Sequence, residues 1–441
     1  MDRLDQEDWF MLTVCDYAGQ VRGKAVPMSE RSHRLDQGMG LAPTSMMISA
    51  FGEISATPWG PRGELLTIPD PKTEVVLPAL NEEGAAERFM LCDIVELDGA
   101  PWACCPRQWL NRGLEILRSQ FGLELKSAFE HEFHYSGGIG RLGDAYLLDA
   151  MRLQGRFAGT LMAALRKNGI EPESFMPEYG PAQYEVTMKP ANGLRAADNA
   201  VRLREITRAV ARGYGHRASF SPVMAPNIVG NGVHIHFSLE ETSGRPITYD
   251  PDSDFGIGER AGSFAAGILE HMADILALAA PSVVSYERLQ PNRWSATWNN
   301  LGSLDREAGI RLWPLSRRAG ADPVADANLE FRACDGAANP YLALGALVYA
   351  GLDGLRRNLT MPEPTQKDPA DMTDEERAHH KLERLPENLE VALERLEKSA
   401  FAKSVMGGEF LAAYITHKRG EMSQLADLDL EEVCRRYGDA Y

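Results

Sequence analysis

The stretch SAFEHEFHYSG (residues 127–137) decides how this chain is read. Apolar and polar residues alternate with a period of two, the pattern of a β-strand. Glu130 and Glu132 are two residues apart and therefore project from one face, in a setting made apolar by Phe129 and Phe133. Two carboxylates that close raise each other's pKa unless something positive lies between them.

Three more strand-like stretches carry charge at alternating or near-alternating positions. PEYGPAQYEV (177–186) has Glu178 and Glu185 on either side of a bend at Gly180–Pro181. GVHIHFSL (232–239) has His234 and His236, and NLEFRACDGAANPY (328–341) has Glu330 and Arg332. Alone, an E-x-E is usually a solvated strand face, and an E-x-R is usually a cross-strand ion pair. Lined up on one sheet, the four segments gather carboxylates and imidazoles on one surface. Divalent cations neutralise such a cluster. Hard oxygen ligands suit Mg²⁺, and an imidazole among them admits Mn²⁺. The ligands are too many for one Mg²⁺, so two or three ions per site are expected.

The bulk composition narrows the class. The 441 residues suggest more than one domain. The net charge of −17, from 46 Lys+Arg against 63 Asp+Glu, argues against nucleic acid and anionic membrane as partners. The six cysteines (15, 92, 104, 105, 334 and 434) show no C-x-x-C spacing, which predicts a reducing compartment rather than a disulfide framework or a zinc site. The start, MDRLDQEDWF, has no apolar core of a signal peptide, and no stretch reads as a membrane span. The expectation is a cytoplasmic protein.

The first hundred residues are punctuated by Pro and Gly between short extended runs, such as WFMLTVC and VRGKAVP around a turn at residues 17–19. CPRQWLNRGLEILRSQFG then has the apolar spacing of an amphipathic helix. A boundary is placed there, giving domains 1–104 and 105–441. Strands and helices alternate afterwards, and PENLEVALERLEKSAFAKSVM is predicted as one helix starting at Pro386–Glu387. The fold class is α+β with an antiparallel-leaning sheet.

The ordered set VRGKAVP, FEHEF, EYGPAQYE, GNGVHIHFSL, SYERLQP, DREAGIR and NLEFRACDGAANPYLA resembles the glutamine synthetase family over nearly the whole chain. The resemblance implies an N-terminal β-grasp domain and a catalytic domain with an antiparallel sheet surrounded by helices. It implies a homo-oligomer, a dodecamer of two hexameric rings, with each site completed by a neighbour. Carried over by position, Glu132, Glu178 and Glu185 hold one metal, and Glu130, Glu185, His234 and Glu330 hold a second. Arg288 and Arg332 bind the amino-acid carboxylate and the developing phosphorylated intermediate, and Gly230 presents backbone to glutamate. Arg306 and Arg311 contact ATP phosphates, and Glu173, His236 and Ser238 lie at the nucleotide. Arg288, Arg306 and Glu185 are the expected catalytic residues.

The departures fall in one place. Members that use ammonia carry an acidic loop residue in a D-G-S-S-like segment, where this chain reads GMGLAPTSMMISAFGE. They also carry a flap glutamate six residues after the arginine of SYxRL; here that position is Trp294. Ammonium is a small cation and needs a carboxylate nearby. Trp294, with Met46, Met47 or Phe51 from a neighbour, suits the apolar body of a larger amine. The leading expectation is therefore a ligase making a γ-glutamyl amide from glutamate, ATP and an organic amine. The alternatives are a glutamine synthetase using ammonia and a non-catalytic ring relative. Further departures are Ala182 for a glycine, Val284 before SYxR, and Val229 in place of a glutamate-contacting asparagine, for which Asn227 or Asn231 could substitute. No tyrosine occurs in DMTDEERAHHKLERLP, so regulation by adenylylation is not expected.

Overall fold

The period-two pattern around Glu130 folds as expected: Leu123–Tyr135 is a strand of 13 residues whose odd-numbered residues are all buried. In this computed structural model, residues 7–80, 86–138, 140, 143–253, 255–316 and 318–441 are described. Leu123–Tyr135 is the central strand of a nine-stranded sheet. Val233–Glu241 pairs with it on one side and Gln183–Met188 on the other, both antiparallel. Leu329–Phe331 and Ile310–Leu312 extend the sheet beyond the first neighbour, and Pro172–Pro177 beyond the second. Its one parallel pair among the described strands joins Leu301–Ser303 to Ile310–Leu312.

The N-terminal region forms a separate six-stranded sheet. Trp9–Cys15 and Val21–Pro27 make the expected hairpin, and Glu87–Val95 runs parallel to Trp9–Cys15. Arg107, at the start of helix Pro106–Phe121, ties this sheet to the larger domain. Its buried guanidinium donates to Asp93 of the first sheet, to Asp70 just after strand Leu65–Pro69 and to Asp198 of helix Leu194–Gly213. Losing one partner of such a buried charge network costs about 3–5 kcal/mol. The chain is α+β, with an N-terminal six-stranded sheet domain followed by a larger domain whose antiparallel-leaning sheet packs against helices.

Helices close the other face of the large sheet. Glu259–Ala279 and Pro340–Arg357 cross where both lack side chains: a Cβ on Gly267 would meet Ala350 O at 2.2 Å, and one on Gly354 would meet Ser263 O at 2.1 Å. By length and composition Glu259–Ala279 could cross a bilayer, which corrects the expectation that no stretch qualifies. However, 83% of its apolar window is buried inside the fold, as befits a core helix. The predicted helix at 386–406 is two helices. Asn388 caps Leu389–Lys398, and Ser399 interrupts the run and caps Ala400–Met406 with its own side chain.

Candidate active site

The register of the large sheet puts the predicted ligands side by side. Glu130 lies opposite His234, Glu132 opposite Glu185, and Glu330 opposite both His236 and Arg311. Together they floor a cavity of about 820 Å³. Its lining includes Glu130, Glu132, Glu173, Glu178, Glu185, Gly230, His234, Arg288, Trp294, Arg306, Arg311, Glu330 and Arg332. Every residue expected to act there is therefore brought to one place, except His236 and Ser238. His236 sits just behind the lining, its Nε2 3.0 Å from Glu130 Oε1. Ser238 is one pleat further along the same strand, outside the cavity.

Burial and charge sort these groups. Burial raises the Glu185 carboxyl to about 10, and the carboxylates of Glu130, Glu132, Glu178 and Glu330 push the same way. Burial also lifts Glu132 to about 7, against an N–H donated by Gly232 at 2.9 Å, and raises Glu178. For Glu130, burial pushes up, but His236 and His234 outweigh it and hold the group well below the usual carboxylate range. Burial brings His234 down to about 4, aided by Arg332, so it is a neutral imidazole able to ligate. For His236 burial pushes down, but Glu130 and Glu330 prevail and raise it to about 9. Among the described residues, Glu130, His236 and Glu330 offer ligand atoms all within 4.8 Å of one another. His234 Nδ1 is close as well, 3.3 Å from Glu130 Oε2 and 3.4 Å from Glu330 Oε1.

Such a carboxylate set fits divalent cations. A carboxyl raised to about 10 by burial, with four acidic neighbours pushing the same way, marks a place where positive charge is wanted. The family uses ATP and divalent metals, and the residues able to hold the ions here are Glu130, Glu132, Glu178, Glu185, His234 and Glu330.

Arginines form a wall beside this floor. Arg311 Nη1 donates to Glu330 at 2.9 Å, and Arg332 makes a very close contact with the same carboxylate. Arg288 is buried and donates to Cys334 O at 2.8 Å. Gly230 lies against it; a Cβ there would come within 2.6 Å of Arg288 Cγ and 2.7 Å of Pro222 O, so only glycine leaves room. Asn231 is not available to replace the missing asparagine. Its amide donates to Ser221 O at 2.7 Å and accepts from Gln183 at 2.9 Å. Asn227 lines the cavity, with a left-handed φ of +61°.

The mouth of the cavity is aromatic. Trp294 packs on Tyr179 with centroids 5.6 Å apart, and Tyr179 meets Tyr146 edge-on at 5.7 Å. The three are 53%, 51% and 56% exposed, and Arg306 lies over the Trp294 ring. Tyr146 Oη also donates to Glu178 Oε1 at 3.2 Å. Sequence reasoning missed Tyr146 and Tyr179, because both sit on irregular segments where no periodicity points to a face. Met46 and Met47 are core residues of their own subunit, 0% and 2% exposed, which removes them as candidates to line a neighbour's site. Phe51 is half-buried against Tyr437.

Comparison with known proteins identifies the family. The glutamine synthetase N-terminal domain matches residues 3–102 and the glutamine synthetase catalytic domain residues 103–435. Gamma-glutamylpolyamine synthetase GlnA3 of Streptomyces coelicolor is 32% identical, over 97% of this chain and 92% of its own. The glutamine synthetase of Thermus thermophilus is 31% identical, over 93% and 91%. Among solved structures, a novel glutamine synthase homolog superposes with a TM-score of 0.91 at 36% identity, covering both chains fully. A GmaS/ADP complex gives 0.81 at 25%, covering 96% and 95%. With both halves matched in order over nearly the whole chain, the chain belongs to the glutamine synthetase family of carbon–nitrogen ligases.

Proposed function

We propose that this chain joins the γ-carboxylate of glutamate to an organic amine at the expense of ATP, through a γ-glutamyl phosphate. The observation that carries this reading is the aromatic mouth of Tyr146, Tyr179 and Trp294, in which Trp294 stands at the position of the flap glutamate of ammonia-using members. Similarity to a gamma-glutamylpolyamine synthetase supports it. Similar identity to glutamine synthetases keeps ammonia as the second reading.

The chemistry follows from the residue types. A carboxylate is a poor acyl donor, because oxide would have to leave. When the γ-carboxylate oxygen takes the γ-phosphoryl group, ADP departs and the acyl carbon gains phosphate as its leaving group. The neutral amine then attacks that carbon, and the amide forms as phosphate leaves with the proton that the nitrogen sheds. Divalent ions, Mg²⁺ or Mn²⁺ at two or three per site, would be held by Glu130, Glu132, Glu178, Glu185, His234 and Glu330 and would neutralise charge on the phosphate oxygens. Arg306 and Arg311 take the ATP phosphates in this reading, and Arg288 and Arg332 hold glutamate and the acyl phosphate. Glu185, central among the acids, would ligate the ions. Gly230 offers its backbone to glutamate, and Glu173 and His236 bound the nucleotide. Ser238 has the weakest claim, lying outside the cavity.

The remaining proposals concern context. Domains 1–104 and 105–441 meet at the start of helix Pro106–Phe121, a division supported by the split between the two family models. Family members form oligomers, and two stacked hexameric rings are proposed here. Six buried free cysteines support a cytoplasmic setting.

An amine panel with glutamate, ATP and Mg²⁺ or Mn²⁺, read by phosphate release and by mass of the amide, tests the function. Turnover with one or more organic amines above that with ammonium is expected. Strong turnover with ammonium alone would overturn the reading in favour of glutamine synthesis.

A further inference from the structure

One carboxylate beside the cavity faces neither the arginine wall nor the acidic floor. Glu307 follows Arg306 on the segment between strands Leu301–Ser303 and Ile310–Leu312. Its Oε1 accepts the N–H of Trp294 at 2.7 Å, and its Oε2 accepts the N–H of Asn292 at 2.9 Å. Both residues have left-handed backbone, φ +60° at Asn292 and +56° at Trp294, although neither is glycine. A turn wound this way points its N–H groups into one concavity that holds an anion. Here the anion comes from the chain itself.

Glu307 is held firmly. Its own N–H donates to Asp305 Oδ1 at 2.8 Å, and Asp305 Oδ2 accepts from Asn300 at 3.2 Å. Asn300 is fully buried and also bonds Thr365 and Gly309. The flap is tied from its other side too. Arg332 Nη2 donates to Trp294 O at 3.2 Å, while Arg332 Nε donates to Arg306 O at 2.7 Å. Arg293 Nη1 reaches across the cavity mouth to Ile228 O at 3.1 Å. The segment 290–296 therefore lies over the site with its N–H groups on Glu307 and a carbonyl on an arginine of the cavity wall.

We propose that Glu307 is a positioning residue that latches the flap, so that Trp294 covers the site and keeps water from the acyl phosphate until the amine attacks. The inference rests on the ligase reading, since an acyl phosphate exposed to water is hydrolysed without forming amide. It adds a residue that touches no substrate. Replacement by alanine removes both acceptors. Glu307→Gln keeps one acceptor oxygen but sets an NH₂ against the second N–H, so it is at best half a latch. Glu307→Asp keeps the carboxylate on a shorter stem and should restore part of the effect.

The test uses the full-length assembly and the wild type in parallel. Hydrogen exchange of the 290–296 amides should speed up about tenfold or more in Glu307→Ala and less in Glu307→Gln, with the rest of the chain unchanged. Phosphate released per amide formed should rise several-fold, and the KM for the amine about tenfold, while the KM for ATP stays within about twofold. Unchanged exchange overturns the proposal. Faster exchange with an unchanged phosphate-to-amide ratio and amine KM overturns it as well, because the contact is then only structural. If Glu307→Ala does not fold, as judged by its melting curve, the near-isosteric Glu307→Gln decides by the same measurements. If the wild type forms no amide from any amine, the ligase reading falls. The latch is then judged on exchange and on glutamate-dependent phosphate release alone: a rise in both supports it, and either one unchanged overturns it.

Discussion

The floor and the mouth of this cavity are built on opposite principles. The floor is strand. Glu130, Glu132, Glu185, His234 and Glu330 stand on neighbouring strands, and ladder pairing fixes which faces which. A slip of one residue would turn a strand's whole set to the other face, and all five are half-buried or buried. The mouth is turn. Tyr146, Asn227 and Trp294 all have left-handed φ values between +56° and +61°, and the two aromatics are about half exposed. Clustered acids need register, because the imidazoles, guanidinium groups and N–H groups that offset their repulsion act only at close range. An aromatic wall needs only shape, and turns can change shape without moving a strand. The chemistry shared by a family can therefore stay on the pleats while the choice of amine shifts on the turns.

Breaking the floor should do most damage. Glu185→Ala is expected to lower kcat by about 10³-fold or more, since its carboxylate is shared between ions in the proposed site. Phosphate release with glutamate, ATP and the best amine measures it, with a melting curve to show that the variant folds. The second prediction concerns protons. In the metal-free protein the Glu185 carboxyl is raised to about 10, so at pH 8 it carries a proton that an ion must displace. Metal binding should therefore release about one proton per site and weaken by about tenfold per pH unit as the pH falls. Calorimetry in two buffers of different ionisation enthalpy reads this directly. No proton release would mean that Glu185 is not a ligand.

The same contrast explains what the sequence disclosed. The E-x-E, H-x-H and E-x-R pairs were legible because a period of two is a geometric statement about a face. Their assembly into one floor followed once the order of motifs identified the family. What the sequence hid depends on long-range packing. Met46 and Met47 looked like site residues, yet the same apolar character that suggested a pocket buries them in their own core. Asn231 looked like a substitute ligand, but Gln183, 48 positions away, engages its amide. Tyr146 and Tyr179 lie on turns, and Glu307 acts through two backbone N–H groups, a role no side-chain pattern announces.

Changing the mouth should have smaller and more selective effects. Trp294→Glu places a carboxylate beside Arg306 and removes one aromatic wall. It should move preference toward ammonium over the best organic amine by about tenfold, or about 1.4 kcal/mol between the two transition states. Competition between ammonium and the amine, read by product masses, measures this. An unchanged amine profile would mean that Trp294 covers the site without choosing the substrate.

Tyr146→Phe joins the two regions and should have the smallest effect. The Tyr146 hydroxyl donates to Glu178 Oε1 and so favours the ionised carboxylate, partly offsetting the burial that raises that group. Tyr146 is 56% exposed, so the bond is worth about 1 kcal/mol or less. Without the hydroxyl, the Glu178 pKa rises further. A carboxyl with a higher pKa holds its proton to higher pH, and a proton there competes with a metal ion. Metal affinity should thus fall by about fivefold or less on the acid side of the profile and stay unchanged at alkaline pH, where Glu178 is ionised in both proteins. A uniform loss across pH would instead mean that the ring acts by packing against Tyr179. In that case the mouth would be mechanically coupled to the floor, and the separation of roles between pleat and turn would fail at this residue.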